Sequence, residues 1–480
     1  MYSDLNSYRT EFICKPGELL LKSKPVRAAF SRRLIHNLRD AIGMNADPSP
    51  GKTSIFREQG IYTVCTSDAS VKEALSRVFG ITSISTIHRF ESHSLEDIVA
   101  RSCEFFQSKV KGKRFAVRCH RSGNTSFQSI DVARALGAAL SPFSNGVNLD
   151  NPDVVCRLDI HDSSVRLYLD TTQAFGGLPV GTQGKAVALV SGGIDSPVAA
   201  WYGLKRGLEV HYLFCSLGGP LQLWGPASTT KHLATNWSYG YQPQLYIADF
   251  NDLLSEFKHL DHRYRNILLK RYFFRAADKL AEHIGAEVII SGESLGQVSS
   301  QTSSNLANIS LVTQRLVFRP LIGLDKTEII AVAREIGTLN ISETVPEFCN
   351  VAVKKPKTCS HPDEISALES LIDPDIAEQA CSTWEKTDLR QMIPPSFDQN
   401  ICLNRKPAGA WLVWIARPDI DAPAPKDVDQ VVNMLDLTRF LKSFSRPGIV
   451  IFACPHGTIS RDAAAAARKK GIDAYALHEC

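Results

Sequence analysis

The chain has 480 residues, 44% of them hydrophobic and 22% charged, with a formal net charge of +4. That length is too great for one hydrophobic core and predicts about three or four domains. No apolar run reaches the roughly 18 residues that cross a bilayer, and the N-terminus MYSDLNSYRTEF lacks a charged-then-apolar leader, so the sequence predicts a cytoplasmic protein with no membrane partner. The 12 cysteines contain no CxxC pair, which argues against a zinc ribbon, an iron–sulfur cluster and a secreted disulfide framework.

Basic residues gather early, with 23 Lys and Arg against 18 Asp and Glu in residues 1–171. A polyanion would meet that part first. Gly17 to Lys22 (GELLLK) reads as a strand, and Pro25 to Ile42 as an amphipathic helix with Val26, Phe30, Leu34, Leu38 and Ile42 on one face. Ile61 to Cys65 reads as a second strand, giving a small α+β unit. A helix with Val71, Leu75 and Val78 follows, then ITSIST, then a helix that Ser94 caps with Asp97 at the capping-box position.

Lys109 to Arg121 (KVKGKRFAVRCHR) holds six Lys or Arg and no acid around the strand FAVRC. Lys113, Arg114, Arg118 and Arg121 are the RNA-binding candidates, since strand-borne cations can track phosphates with little reading of bases. Gly112, Arg118, Arg121, Gly123 and SIDVARALGAAL resemble the THUMP domain, an RNA-binding module of tRNA-modifying enzymes.

Beyond Gly176-Gly177-Leu178-Pro179 the chain alternates strand and helix. VALVS, VHYLFCS, QLYIADF and EVIISG are the strands, Ile267 to Ile284 is one of the helices, and the polar strand ends Ser191, Ser216 and Gly292 would line a ligand crevice. The decisive stretch is AVALVSGGIDS, residues 186–196, where a buried strand breaks at Ser191-Gly192-Gly193 and the helix PVAAWYGLKR begins after Asp195. The glycines let several N–H groups face one anion, and the helix N-terminus adds its dipole. No Lys lies between Ser191 and Ser196, so this is not a Walker A loop. SGGIDS resembles the PP-loop of ATP pyrophosphatases, which implies ATP-dependent adenylation, with Asp195 acting through Mg²⁺ and Ser191 and Ser196 donating to phosphate oxygens.

The segment 292–302, GESLGQVSSQT, is too polar and glycine-rich for a core, and RPLIGLDKTE leads into another helix. Lys354 to Asn400, with Pro356, Pro362, Pro374, Pro394 and Pro395, reads as a mobile join between domains. In the last part, Ile449 to Phe452 reads as a buried strand beside Trp411 to Ile415. Cys454 ends that strand and Ser460 is the expected N-cap of RDAAAAARKKG. A cysteine at a strand end and a helix N-terminus is suited to an anionic persulfide. This loop resembles that of rhodaneses, although Ala416 precedes Arg417 where rhodaneses usually carry Asp.

KPGELLLKS, the THUMP segment, GGLPVGTQ, SGGIDS, GESLGQVSSQT, RPLIGLDKTEI, VPEFC and the Cys454 loop together resemble the bacterial tRNA 4-thiouridine synthase family over nearly the whole chain. The resemblance implies a multidomain α+β and α/β protein. Its parts are a ferredoxin-like unit (residues 1–67), a THUMP domain (68–171), a doubly wound parallel-sheet PP-loop domain with C-terminal linker (172–400) and a rhodanese-like domain (401–480). It implies ATP contacts at Leu189, Val190, Ser191, Gly192, Gly193, Ser196, Lys270, Gly292 and Gln301, and a required lysine at Lys326. It also implies a persulfide on Cys454 that Cys349 resolves as a disulfide. The implied partners are tRNA, a pyridoxal-phosphate cysteine desulfurase as sulfur donor, and the thiamine sulfur carrier protein. Two other readings remain open: a PP-loop ligase or amidotransferase acting on a small metabolite, and a non-catalytic RNA-binding protein.

Overall fold

Seven strands of the N-terminal part hydrogen-bond into one sheet, in the order β2-β3-β1-β4-β7-β6-β5. The elements are β1 (Thr10–Pro16), α1 (Lys24–Asn45), β2 (Ser54–Glu58), β3 (Ile61–Thr66), α2 (Val71–Ser76), β4 (Ile81–Glu91), α3 (Leu95–Val110), β5 (Phe115–Ser122), α4 (Ser129–Leu140), β6 (Val154–His161) and β7 (Ser164–Gln173). The computed structural model describes residues 10–45, 53–58, 60–124, 126–218, 220–343, 356–394, 401–416, 422–455 and 458–477. The chain divides into two units, residues 1–178 and 179–480.

In the first unit β4 pairs antiparallel with β1 on one side and β7 on the other. The boundary expected between residues 67 and 68 therefore falls within a continuous sheet. Helix α1 buries Leu34, Leu38, Ala41 and Ile42 and receives the Tyr62 hydroxyl of β3 on Ser31 Oγ at 2.8 Å. Its four-residue spacing drifts around the 3.6-residue turn, so the expected face fails at the start and Val26 lies exposed. Ser94 caps α3 by accepting from the Asp97 N–H.

One expected strand is wrong. GELLLK forms a 3-10 turn, Glu18–Leu21, and the strand is the preceding TEFICKP. Gly17 donates to the Gly80 carbonyl, and a Cβ on it would lie 2.6 Å from Thr82 Cγ2, so β4 passes too close for any larger residue. A single turn cannot bury three consecutive leucines. Leu19 goes inside and Leu21 is 86% exposed.

The second unit begins with β8 (Lys185–Leu189), α5 (Asp195–Lys205), β9 (Glu209–Ser216), α6 (Trp224–Asn236), β10 (Gln244–Asp249), α7 (Asn251–Glu256), α8 (Arg265–Ile284), β11 (Val288–Ile290), α9 (Ser303–Ser310), β12 (Leu316–Phe318), α10 (Lys326–Glu335) and α11 (Leu339–Glu343). It continues with α12 (Pro362–Glu369), α13 (Pro374–Ser382), β13 (Glu385–Asp388), β14 (Cys402–Leu403), β15 (Trp411–Ala416), β16 (Gln430–Asn433), α14 (Leu437–Ser443), β17 (Val450–Ala453), α15 (Thr458–Lys469) and β18 (Ala474–Leu477). Its first sheet runs β12-β11-β8-β9-β10-β13 and is parallel except for β13. The chain moves outward from β8 to β10, then returns to the other side of β8 as β11. The order thus reverses between β8 and β11, and ligands bind beyond the carboxyl ends of strands at such a reversal.

Residues 356–394 are not a mobile linker. β13 pairs with β10 at the sheet edge, and α13 packs on α8. Pro362 and Pro374 occupy first-turn positions, where a missing N–H costs a helix nothing. Glu369 at the end of α12 accepts from Arg271 Nε (2.8 Å) and Nη2 (3.1 Å) and from Arg275 Nη1 (2.8 Å) and Nη2 (2.7 Å). Charged composition and prolines suggested a linker because an edge strand and capped helices share that composition with loops.

The C-terminal strands form a separate parallel sheet, β14-β18-β17-β15-β16. It docks on the carboxyl-end side of the first sheet. Helix α15 contacts the 3-10 turn Pro220–Leu223 that follows β9, and α7 after β10 contacts the turn Met434–Asp436. Lys258 pairs with Asp436, and one apolar cluster runs from Phe257 and Leu260 to Met434, Leu437 and Phe452.

Burial opposes ionisation of Glu369, but the hydrogen bonds from Arg271 and Arg275 outweigh it and hold the carboxyl below the ordinary glutamate range. Its contribution to stability is therefore complete above that ordinary range and is lost as pH falls through the lowered value. Glu369→Ala strands Arg271 and is expected to lower unfolding free energy by about 3 kcal/mol at neutral pH, measured by urea titration. A loss below about 0.5 kcal/mol would mean that the 356–394 segment is not an integral part of the domain.

Candidate active site

β8 and the residue after it bring the chain to the crevice. Ala186, Val187 and Ala188 are buried, and the Val190 N–H donates to the Leu213 carbonyl at 2.9 Å, carrying the pairing past the end of β8. The loop then closes on itself. Ser191 N–H donates to Ser196 Oγ (3.0 Å), the Ser196 hydroxyl lies 3.3 Å from the Ser191 carbonyl, and Gly193 N–H donates to Ser191 Oγ (3.3 Å). Helix α5 starts at Asp195, so the positive end of its dipole lies at the loop.

Lys326, 131 residues away in sequence, reaches the loop: its Nζ is 2.6 Å from Asp195 Oδ1. A capping box holds Lys326 at the first position of α10, with Asp325 accepting from the Glu328 N–H and Glu328 from the Asp325 N–H, each at 2.9 Å. Gln297 Nε2 donates to the other oxygen, Asp195 Oδ2, at 3.1 Å. Ser342 Oγ, on α11, donates to the Gly193 carbonyl at 3.4 Å.

From the other side of the reversal, Gly292 closes against the loop. A Cβ there would stand 2.9 Å from both Ser196 Cα and Ser196 N. The next residue, Glu293, is buried and accepts from Lys270 Nζ (2.9 Å) and Arg319 Nε (2.7 Å). Burial would raise the Glu293 carboxyl, but the two cations prevail and hold it below its ordinary range. Gln301 is buried, and among the described residues its Oε1 has no hydrogen-bond partner. The polar segment 292–302 is divided: Leu295 to Val298 are exposed, as its polarity suggested, while Glu293, Ser294, Ser300 and Gln301 are buried. Asn305 and Asn308 of α9 bond to Lys357 and Ser360, and Thr302 to Thr358, which satisfies polar groups that water would otherwise solvate.

In the C-terminal sheet Cys454 follows β17, buried, with the Ser460 N–H 3.4 Å from its Sγ. Ser460 is not the N-cap: α15 starts at Thr458, so its N–H is one of the orphan donors of the first turn. Cys349 and Arg417 lie outside the described residues.

In the first unit β5 is an edge strand beside β6. Arg118 and Arg157 are in register, and with His120, Ile130 and Val155 they line an open groove of about 520 Å³. Arg118 Nη2 donates to the Leu149 carbonyl at 2.6 Å. Lys113 is exposed before β5, and the Arg114 guanidinium faces Asp153 at 3.7 Å. Arg121 does not share the Arg118 face. Strand alternation turns it to the other side, where Nη1 donates to the Phe127 carbonyl at 3.0 Å. Arg157 and His120 went unnoticed in the sequence because only pairing with β6 reveals the groove. Glu293, Arg319 and Gln297 were missed too, although an acid beside a strand-end glycine needs a cation partner.

Three family models match: the ThiI ferredoxin-like domain over residues 11–85, the THUMP domain over 92–170, and the thiamine biosynthesis protein (ThiI) over 181–373. A tRNA sulfurtransferase of Pyrobaculum aerophilum is 33% identical over 97% of this chain and 96% of its own length. The chain belongs to the tRNA sulfurtransferase family. It is accordingly an enzyme, of the transferase class. A probable tRNA sulfurtransferase of Saccharolobus solfataricus is 41% identical over 75% of this chain and 94% of its own length. A crystal structure of a 4-thiouridine synthetase–RNA complex with bound ATP superposes with a TM-score of 0.71 and 32% identity, covering 79% of this chain and 99% of that one. These named relatives are archaeal, so membership of the family's bacterial branch, expected from the sequence, is not shown. Residues 374–480 lie beyond the three family models.

Within this family assignment, Gly292→Ala tests the crevice. The added methyl meets backbone rather than a movable side-chain end, so the loop must shift. ATP-dependent AMP release with tRNA should fall by about 10²-fold, with a loss of about 1–3 kcal/mol in stability from the forced shift; wild-type turnover would show that the approach is not needed. On the RNA side, Arg118→Glu should weaken tRNA binding and reduce the salt slope by about one unit. Arg121→Glu should cost stability as well as affinity, because it loses the Phe127 bond. An unchanged slope for Arg118→Glu places the RNA elsewhere.

Proposed function

We propose that this chain works in the cytoplasm to convert uridine 8 of tRNA to 4-thiouridine, spending ATP to activate the base and a protein persulfide to supply sulfur. The observation that carries the reading is the meeting of Asp195 and Lys326 at the mouth of the glycine loop, beside the close approach of Gly292. The orphaned Gln301 Oε1 fits a nucleotide as its missing partner. The basic groove at Arg118 and Arg157 fits tRNA phosphates.

The loop N–H groups and the hydroxyls of Ser191 and Ser196 hold the triphosphate, with Leu189, Val190, Gly292 and Lys270 around the nucleotide. The uridine O4 attacks the α-phosphorus, the bond from that phosphorus to the bridging oxygen breaks, and pyrophosphate leaves. Lys326 offsets negative charge where it grows, released from Asp195 once phosphates are present. Mg²⁺ would be held by the Asp195 carboxylate at the loop together with the phosphates, as suits a hard cation that binds through one or two carboxylates and substrate phosphates. When bound, that ion neutralises phosphate charge.

The terminal sulfur of a Cys454 persulfide then attacks C4 and AMP departs with the O4 oxygen. The product is joined to Cys454 through its sulfur. The Cys349 thiolate attacks Cys454 Sγ, forming the Cys349–Cys454 disulfide and releasing the thiouridine with the bonding electron pair. A two-electron reductant reopens the disulfide. The Ser460 N–H beside Cys454 Sγ supports an anionic sulfur there. The persulfide comes from a pyridoxal-phosphate cysteine desulfurase, in a C-terminal domain of rhodanese type, and the same sulfur is passed to the thiamine sulfur carrier protein.

The test is sulfur loading and transfer in two variants. Cys454→Ala should take no labelled sulfur from a desulfurase and form no thiolated tRNA, while still releasing AMP from ATP with tRNA. Cys349→Ala should load sulfur but stall after one transfer, with partial recovery in excess small thiol. Mass spectrometry of both variants reads the outcome, and thiolation by Cys454→Ala would overturn the assignment.

A further inference from the structure

Glu293 is the only carboxylate bonded to Lys270 among the described contacts, and it sits one residue from the glycine that touches the start of α5. Its side chain is 5% exposed. A carboxylate so buried is stable only with a counter-ion, and here it has two. They are not equivalent. Arg319 is fixed three ways: Nε on Glu293 at 2.7 Å, Nη2 on Ser310 Oγ at 2.9 Å, and the guanidinium 5.4 Å from the centre of the Phe274 ring. Lys270 makes one such contact, through Nζ, at the end of a long unbranched stem.

We propose that Glu293 is a positioning residue for the nucleotide, holding the Lys270 ammonium in the crevice, with Arg319 as the permanent counter-ion. Two cations on one carboxylate leave a net positive charge beside the loop, which draws a polyphosphate. The ammonium carries three N–H donors, so one stays on Glu293 while the others meet the phosphates, and Arg319 balances the buried carboxylate throughout. Glu293 touches no reacting atom in this scheme and acts through Lys270. The inference rests on the nucleotide reading of Lys270 given above.

The experiment is a double-mutant cycle on the full chain, with ATP affinity by calorimetry and KM for ATP and kcat from tRNA-dependent AMP release. Lys270→Met should weaken ATP binding by about tenfold or more. Glu293→Gln should raise KM for ATP by a similar factor, with tRNA affinity unchanged. The double variant should be no worse than Lys270→Met alone. If Lys270→Met leaves ATP affinity unchanged, the nucleotide reading of that lysine is wrong, whatever Glu293 does. If Lys270→Met weakens ATP but Glu293→Gln does not, or the two effects add, the positioning role is wrong and Glu293 is only structural. Should Glu293→Gln not fold, Glu293→Asp keeps the charge and shortens the arm. A folded Glu293→Asp with raised KM for ATP supports the proposal, and one with wild-type KM overturns it.

Discussion

The second unit depends on one contact between backbones. At the point where strand order reverses, the end of β11 comes against the first turn of α5 with no room for a side chain between them. Because Gly292 permits this, the loop after β8 and the loop after β11 become two walls of one crevice. Every candidate side chain then arrives from an element anchored to one wall or the other. Asp195 comes with α5, and Glu293 follows the glycine itself. Lys326 comes from the helix that begins after β12, the strand paired with β11.

Charge inside this unit follows a repeated pattern. Helix α8 passes behind the sheet and presents Lys270 to Glu293, then Arg271 and Arg275 to Glu369. Glu293 and Glu369 each have two cations, and these pairs join separate elements of the chain. Such bridges add little net stability over apolar packing, yet removing one partner is costly, so they specify which segments must lie together. Glu293 thus aligns α8 with the crevice, and Glu369 aligns it with the helices that follow α11.

Much of this was legible in the sequence where a local pattern suffices. The strand–SGGIDS–helix passage, the alternation after residue 180 and the Ser94 cap are set by neighbours in the chain, and the structure forms them as read. GELLLK was not legible, because its form is decided by Thr82 and Gly80 on a strand some sixty residues away. The segment after residue 356 looked like a linker for the same reason: its partners, Arg271, Arg275 and β10, lie 94 or more residues earlier. In the site, Asp195, Lys326 and Gly292 were named and come together. Glu293 was hidden in a stretch whose polarity suggested solvent, and its partners Lys270 and Arg319 belong to two other elements, so only the fold brings the three together. The face of Arg121 could be told only from the strand's register.

The docking of the C-terminal sheet has a dynamic consequence. Its contact with the loops after β9 and β10 is lined by the same apolar cluster that fills the first sheet's interior. Separating the two exposes that cluster to water, so departure of the C-terminal part is a sub-global opening with a free-energy penalty, not the swing of a free hinge. Its rate will fall steeply on stabilisation of the cluster and rise with denaturant, as hydrogen exchange of the β17 amides would record. On the reading proposed for Cys454, sulfur delivery either occurs in the docked arrangement or draws on a binding partner to open it.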